Sequence, residues 1–237
     1  MALPKLTTPT YELEVPSTDE KIKYRPFLVR EEKILLIALE SGESKDIINA
    51  VKDIVTACTF DKLDLGTMPM FDVEYVFLNI RAKSVGEISS LRLLCPDDKE
   101  TYANVDVNLS EVTVQVEKEH SEKIELTDEM GIIMTYPSID SMANTGITDI
   151  SAENMLEVIG SCILQIYDKK GEEVFEAKDQ TKKEITDFIE QFNTKQFQKL
   201  QEYFDTMPKL KHMVEIENPK TKVKSKIMLE GLNDFFG

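Results

Sequence analysis

The sequence predicts an α+β protein: an N-terminal β-hairpin plus helices, a β-rich central insert, and a helical C-terminal part that ends in a β-hairpin. Three observations indicate this class. Apolar and polar residues alternate near both ends and between residues 91 and 137, which is the period of a half-buried strand. Most of the remaining chain repeats at the three- and four-residue spacing of an amphipathic helix. Apolar residues make up 41% of the chain, which is enough for a packed core.

The N-terminal part begins with a strand pattern and then changes to a helical one. Alternation on both sides of a Pro-Ser-Thr-Asp turn predicts a β-hairpin over residues 11–26. Helical spacing follows over residues 31–58, with a break at Gly42. A further helix over residues 71–85 is apolar on nearly every side, which is typical of a buried helix. A helix face covered by a partner is the alternative interpretation.

The central part is predicted to be rich in strands. Short alternating stretches between residues 91 and 137 indicate a β-rich insert over residues 88–140. We expect residues 1–140, which include this insert, to form an N-terminal lobe. Residues 141–237 are then a helical lobe with a terminal hairpin; a single domain is the alternative interpretation.

The C-terminal part is predicted to be mainly helical. Ser151 is expected to cap a helix whose apolar stripe contains Met155, Ile159, Cys162 and Ile166. A capping-box pattern, Thr181-x-x-Glu184, begins the next helix. A last helix follows Asn193 and ends before Pro208. Residues 210–229 then form a hairpin, and residues 232–236 a short aromatic terminus.

The charge balance limits the possible partners. The 237 residues include 44 Asp and Glu against 28 Lys and Arg, a net charge of −16. Such a surface repels nucleic-acid phosphates and anionic lipid headgroups, so we expect no nucleic-acid binding and no membrane insertion. The longest apolar runs, such as residues 34–39, fall far short of the roughly 20 residues that a membrane span needs. The N-terminal residues do not resemble a signal peptide, so we expect a protein kept in a cytoplasm.

No motif in the sequence points to catalysis. There is no glycine-rich phosphate loop and no nucleophile elbow, and the paired carboxylates fall in predicted loops. The cysteines, at positions 58, 95 and 162, lack the spacing of a zinc site and are expected to be inert thiols. His120 is expected to be an exposed loop residue, and His212 a partly buried one in the last hairpin. We therefore predict a protein that is not an enzyme, with no catalytic, cofactor-binding or metal-binding residues.

Two groups near the C-terminus are the predicted partner-binding residues. The first is apolar and must be buried against something, so a short terminal helix there fits a partner's groove; it comprises Leu232, Phe235 and Phe236. The second is basic and lies along one face of the last strand; it comprises Lys222, Lys224 and Lys226. A basic face suits docking on an acidic surface. Lysines that solubilise an edge strand are the alternative interpretation.

Several stretches of the chain together resemble a known family. From the N-terminus onward they are YELEVPS (11–17), YRPFLVREEK (24–33), FDVEYVFL (71–78), RAKSVGE (81–87), residues 195–210, LEGL (229–232) and DFF (234–236). In combination they are similar to the baseplate hub assembly proteins of T-even-type contractile-tailed bacteriophages. The likeness spans nearly the whole chain.

This resemblance implies a role in building the central hub of the tail baseplate. The predicted function is a non-enzymatic assembly factor that binds other baseplate hub or tail proteins in the host cell cytoplasm. A permanent structural subunit of the hub, located in the virion tail, is the alternative. A small hydrolase that degrades the cell wall is a third interpretation from a different class. The resemblance also implies cysteine pairs in the hairpin regions around Cys95 and Asn218, and this sequence lacks them.

Overall fold

The computed structural model describes residues 6–141 and 152–235. The helices and strands of these residues are, in order, β1 (Tyr11–Glu14), β2 (Lys21–Tyr24), α1 (Val29–Ser41), α2 (Ser44–Cys58), α3 (Met70–Val85), β3 (Ile88–Leu94), β4 (Tyr102–Asn108), β5 (Thr113–Gln115), β6 (Lys123–Glu125), β7 (Met130–Met134), α4 (Ala152–Ser161), β8 (Ile163–Asp168), β9 (Glu173–Glu176), α5 (Lys182–Ile189), α6 (Thr194–Thr206), β10 (Lys209–Glu217) and β11 (Lys224–Glu230). The strands form four antiparallel sheets, ordered β1-β2, β3-β4, β11-β10-β5 and β6-β7-β8-β9. The predicted α+β class and the N-terminal hairpin are confirmed.

Contacts divide the described chain into two compact units. The first contains residues 6–64, 71–115 and 209–235, and the second contains residues 65–70, 116–141 and 152–208. This grouping differs from the predicted division near residue 140. The reason is the pairing of β10 with β5, which joins the last hairpin to the first unit. Whether the chain forms two separate lobes that meet near residue 140 is not tested by this grouping, and that division stays a prediction.

The first unit is built around α3 and the last hairpin. As its all-round apolar pattern predicts, α3 buries side chains along its whole length: Phe71, Asp72, Val73, Val76, Phe77, Leu78, Ile80 and Ala82. Leu78 and Ala82 belong to a core cluster with apolar residues of β3, β4, β10 and β11. These strands alternate inward and outward residues, so one face of each sheet is buried and the other faces solvent.

The second unit contains a strand where the sequence predicts a helix. The helix that begins before Met155 ends at Ser161, and Cys162 and Ile166 lie outside it. Residues 163–168 instead form β8, a central strand that pairs with β7 on one side and β9 on the other. Hydrogen bonds to two neighbouring strands therefore outweigh the local helical spacing. The predicted cap, Ser151, lies outside the described residues.

A buried ion pair fixes the turn from β2 into α1. The Arg25 guanidinium lies 3.0 Å from Glu31 Oε1, and both side chains are almost fully buried. Glu31 Oε2 accepts a hydrogen bond of 2.7 Å from the Leu28 N–H. This bond satisfies an amide at the start of α1 that has no acceptor within the helix. Burial opposes ionisation of Glu31, but hydrogen bonds from Arg25, Arg30 and the Leu28 amide outweigh it and lower its pKa to about 2. Glu31 and Ala38 thus mark the inner face of α1.

Replacing Glu31 tests the contribution of the Arg25–Glu31 ion pair to stability. We expect Glu31→Gln to lower the free energy of unfolding at neutral pH by about 3 kcal/mol, because it leaves the buried Arg25 without a counter-charge. Urea unfolding of the full chain measures this change. The exposed neighbour provides the control: Glu32→Gln should change stability by less than about 0.5 kcal/mol.

The same ion pair predicts that the free energy of unfolding depends on pH. The folded-state pKa of Glu31 lies below its ordinary 4.5. Its contribution to stability is therefore complete above the unfolded-state value and is lost as the pH falls toward about 2. The stability difference between wild type and Glu31→Gln should narrow as the pH is lowered below 4.5. A difference that stays constant there would show that the ion pair is not its origin.

Gly131 allows a tyrosine ring to cover β7 in the second unit. Gly131 lies opposite Tyr167 of β8. A methyl group at residue 131 would overlap the Tyr167 ring and would lie 2.6 Å from the Ile124 carbonyl oxygen. The backbone atom cannot move without disturbing the sheet. Only glycine therefore fits between β6 and the tyrosine ring.

We expect Gly131→Ala to lower the free energy of unfolding by about 1–3 kcal/mol, the usual cost of overpacking. Thermal or urea unfolding measures it. Gly171→Ala is the control, since its nearest neighbour, at 3.2 Å, is the end of the Asp168 side chain, which can rotate away. Equal stability of Gly131→Ala and wild type would contradict the close packing of Tyr167 on this glycine.

Candidate partner-binding surfaces

The outward side of α1 carries large apolar side chains in solvent. Val29 is 79% exposed, Leu36 54% and Ile37 56%. At 3.6 residues per turn, they lie within about 100° of the helix circumference, opposite the buried Glu31 and Ala38. Lys33 and Glu40 lie on the same side and are exposed. We call Val29, Lys33, Leu36, Ile37 and Glu40 the α1 outer face.

Further apolar side chains flank the α1 outer face. Ile34 is 41% exposed and Leu39 51%, while Leu28, just before the helix, is 38% exposed. Single exposed apolar residues are common on proteins, but a contiguous group rimmed by charges marks an interaction surface. The group therefore makes α1 the strongest candidate for a protein-binding element among the described residues.

The sequence carries a signal for this surface that the helical spacing over residues 31–58 does not reveal. The signal is the run Ile-Leu-Leu-Ile-Ala-Leu at residues 34–39, which is too short for a membrane span. Six consecutive apolar residues in a helix point in all directions, whereas a surface helix needs only one apolar side. Such a run in a helix predicts either burial on all sides or an exposed apolar face. In α1 it leaves the outer face exposed.

Two residues of the predicted aromatic terminus, Leu232 and Phe235, pack in this chain's own core. Phe235 is fully buried in the core cluster of the first unit, and Leu232 packs against the same cluster. The Ser89 hydroxyl donates to the Phe235 carbonyl oxygen at 3.0 Å. The Leu232 N–H donates at 3.3 Å to Glu74, and burial raises the pKa of that carboxyl to about 7. Leu232 and Phe235 therefore contact their own core, their role in partner binding stays a prediction, and Phe236 lies outside the described residues.

Lys224 and Lys226 lie in β11 and face acidic residues of β10, whereas Lys222, predicted to lie on the same strand, is in the turn before it. Lys226 Nζ lies 3.2 Å from Glu215, and Lys222 Nζ lies 4.0 Å from Glu217. Lys224 is opposite Glu217 in the strand register. Exposed pairs of this kind contribute little to stability, about 0–1 kcal/mol each. They do balance the positive charge of β11, which favours the role of solubilising an edge strand over that of a free basic face.

His120 is not the exposed loop residue that the sequence predicts. Its ring is partly buried against Tyr136 and Tyr203, with ring centroids 5.7 Å and 4.9 Å away. Its nitrogens contact Thr206 Oγ1 at 3.0 Å and Tyr136 Oη at 3.1 Å. Thr206 donates its proton to the Glu202 carbonyl oxygen and therefore accepts from Nδ1. Burial lowers the pKa of His120, so a neutral imidazole joins the segment after β7 to α6 as a structural element. His212 is partly buried, as expected.

Cys95 lies in a hairpin turn that binds the last hairpin. The amide of Asn218, a residue that is almost fully buried, donates to both carboxylate oxygens of Asp97 at 3.0 Å. These bonds link the turn after β3 to the turn after β10. The Cys95 side chain is buried, and burial together with Asp97 and Asp98 raises the pKa of its thiol. Hydrogen bonds between polar side chains thus connect the two turns.

The second unit also has an apolar groove between α4, β8 and α5. Its apolar lining includes Ile163, Leu164, Ala177 and Ile185. Glu157, Glu176, Lys178 and Lys182 also line it, and Glu176 accepts a hydrogen bond of 2.7 Å from Gln165. Within residues 6–141 and 152–235, no three or more His, Cys, Asp or Glu side chains gather as a metal site would require. In the same part of the chain, no helix has the length and apolar character of a membrane span.

Comparison with known proteins identifies the family. The model of the family described as "T4 bacteriophage base plate protein" matches residues 8–237. No curated protein and no solved structure matches the chain significantly. The family match covers both units, including α1, α3 and the last hairpin. On this evidence the chain belongs to the T4 bacteriophage base plate protein family.

Proposed function

We propose that this protein is a non-enzymatic assembly factor that binds baseplate hub components while the tail is built in the host cytoplasm. The observation that carries the proposal is the α1 outer face, where Val29, Leu36 and Ile37 are each more than half exposed. Family membership supports baseplate proteins as the partners. Binding through this face needs no reaction at the protein's own side chains.

The physical chemistry of the α1 outer face favours binding. Covering apolar surface contributes about 25 cal/mol per Å², and the side chains involved are already held on a rigid helix. The Arg25–Glu31 ion pair fixes the inner side of α1, so little conformational entropy is lost when a partner covers the outer side. Lys33 and Glu40 add charges of both signs, which select the orientation of the partner.

A permanent hub subunit is the second candidate. The flanking residues Leu28, Ile34 and Leu39 enlarge the apolar area, and permanent interfaces are more apolar than transient ones. Quantifying the protein in purified phage particles separates the two candidates. An assembly factor is expected to be absent from mature particles or present below the stoichiometry of baseplate proteins. A fixed stoichiometric amount would favour the subunit instead.

The ionisable groups of the described residues favour a protein without catalysis. Burial raises the pKa of Cys58 to about 11 and of Cys162 to about 12, so neither thiol is a nucleophile at neutral pH. His120 has both ring nitrogens engaged. Release of soluble fragments from peptidoglycan by the purified protein would contradict this part of the proposal and support the hydrolase interpretation.

Two substitutions on the α1 outer face test binding. A tagged full chain carrying Leu36→Glu and Ile37→Glu should capture at least tenfold less of its baseplate partners from infected cells, because carboxylates would have to be buried at the contact. Quantitative mass spectrometry of the eluates measures the ratio. Val174→Glu is the matched control, since Val174 of β9 is 59% exposed. Equal capture by all three proteins, with equal thermal unfolding, would overturn the proposal.

The aromatic terminus gives a contrasting prediction. Phe235→Ala should lower the free energy of unfolding by about 3–5 kcal/mol, as expected for a fully buried phenyl ring. Below its lowered unfolding temperature, the variant should still capture the same partners as wild type. Urea unfolding and the capture assay measure the two effects. Unchanged stability together with lost capture would assign Phe235 to partner binding instead.

A further inference from the structure

The charges on the α1 outer face are arranged around its apolar centre. Lys33 lies three residues before Leu36, and Glu40 lies three residues after Ile37. Both charged side chains are exposed. Among the described residues, no hydrogen bond or ion pair engages either of them. From Lys33 to Glu40, the face therefore presents one cation, two large apolar side chains and one anion in line along the helix.

This order is complementary to itself when a second α1 runs in the opposite direction. A two-fold axis between Leu36 and Ile37 would place Leu36 of one copy beside Ile37 of the other. The same axis would place Lys33 of each copy beside Glu40 of the other, so one contact forms two ion pairs. In a parallel pair, Lys33 would face Lys33 and Glu40 would face Glu40. Repulsion between like charges therefore selects the antiparallel arrangement.

We propose that, in the free protein, the α1 outer face is covered by the same face of a second copy, in an antiparallel pair centred between Leu36 and Ile37. The inference rests on the proposed function to the extent that both use this face as a protein-binding surface. It adds that a second copy of the chain covers the face before a baseplate partner binds. Arrival of that partner then requires the two copies to separate.

The size of the contact sets its strength. The 13 residues of α1 form a helix about 20 Å long. A single pair of such helices buries well below the roughly 1,200 Å² that marks a standard stable interface. The pair is therefore weak, with a dissociation constant in the roughly micromolar range or above. A weak pair protects the apolar side chains at high concentration and still exchanges for a better-fitting partner.

Sedimentation equilibrium of the purified full chain over a wide concentration range tests the pairing directly. The 27.1 kDa chain should shift toward twice this mass as concentration rises. Leu36→Glu with Ile37→Glu should raise the dissociation constant at least tenfold. Val174→Glu, which changes an equally exposed apolar residue of β9, should leave it unchanged. A wild-type chain that stays monomeric throughout overturns the pairing, as does a dimer that the α1 substitutions leave intact.

Charge reversal tests the antiparallel register. Lys33→Glu and Glu40→Lys should each weaken the pair about fivefold, because each places like charges together at two sites per dimer. The protein carrying both changes should regain the wild-type affinity. An equimolar mixture of the two single variants should associate more tightly than either alone, since every charged contact between them is then attractive. The exposed Lys195→Glu is the control. A mixture with no such gain overturns the register.

The two proposals fail in distinguishable ways. A monomeric wild-type chain whose capture of baseplate partners still depends on Leu36 and Ile37 would overturn self-pairing and leave the proposed function intact. Pairing that depends on α1, together with baseplate capture that does not, would support self-pairing and overturn the role of this face in assembly. The mass measurement uses the purified chain alone, and the capture uses infected cells.

Discussion

The buried ion pair between Arg25 and Glu31 determines which side of α1 faces the core. Hydrogen bonds from Arg25 and from the Leu28 amide hold Glu31 at the start of the helix, and one turn of an α-helix fixes the direction of all later side chains. Ala38 therefore points inward, while Leu36 and Ile37 point outward. A different rotation of the helix would bury the apolar residues and expose the ion pair. The pair is itself expensive to desolvate, so we interpret its role as specifying this rotation.

A second constraint comes from the short pairing of β5 with β10. Gln115 lies opposite Lys209, so the chain leaves the first unit and returns to it at neighbouring points. The residues between them form the second unit together with residues 65–70. Its sheet, β6-β7-β8-β9, is complete without strands from the first unit. Two neighbouring ends are the geometry that allows one part of a chain to be inserted within another. The family match, over residues 8–237, spans both units.

Local patterns in the sequence predicted the elements whose stability is local. The alternation around a turn predicted the β1-β2 hairpin, and the Thr181-x-x-Glu184 pattern predicted a cap in which Thr181 and Glu184 bond reciprocally. The pattern fails at β8, because the spacing of Met155, Ile159, Cys162 and Ile166 fits a helix while β7, one of the two partner strands of β8, is distant in sequence. The same limit applies to the candidate site. An apolar run predicts that something must cover it, and only the fold shows that Phe235 is covered by its own core while Leu36 is not.

The net charge of −16 and the α1 outer face act at different distances. At physiological ionic strength, screening limits the repulsion between acidic surfaces to about 8 Å, so it opposes the approach of any acidic partner, including a second copy. Apolar contact and the Lys33 and Glu40 charges act only once the surfaces touch. Repulsion that extends beyond contact, combined with a weak attraction at contact, gives associations that form at high local concentration and separate easily. The proposed assembly role needs this property, because a factor that binds its own kind or its client too tightly would never pass the client on to the growing baseplate.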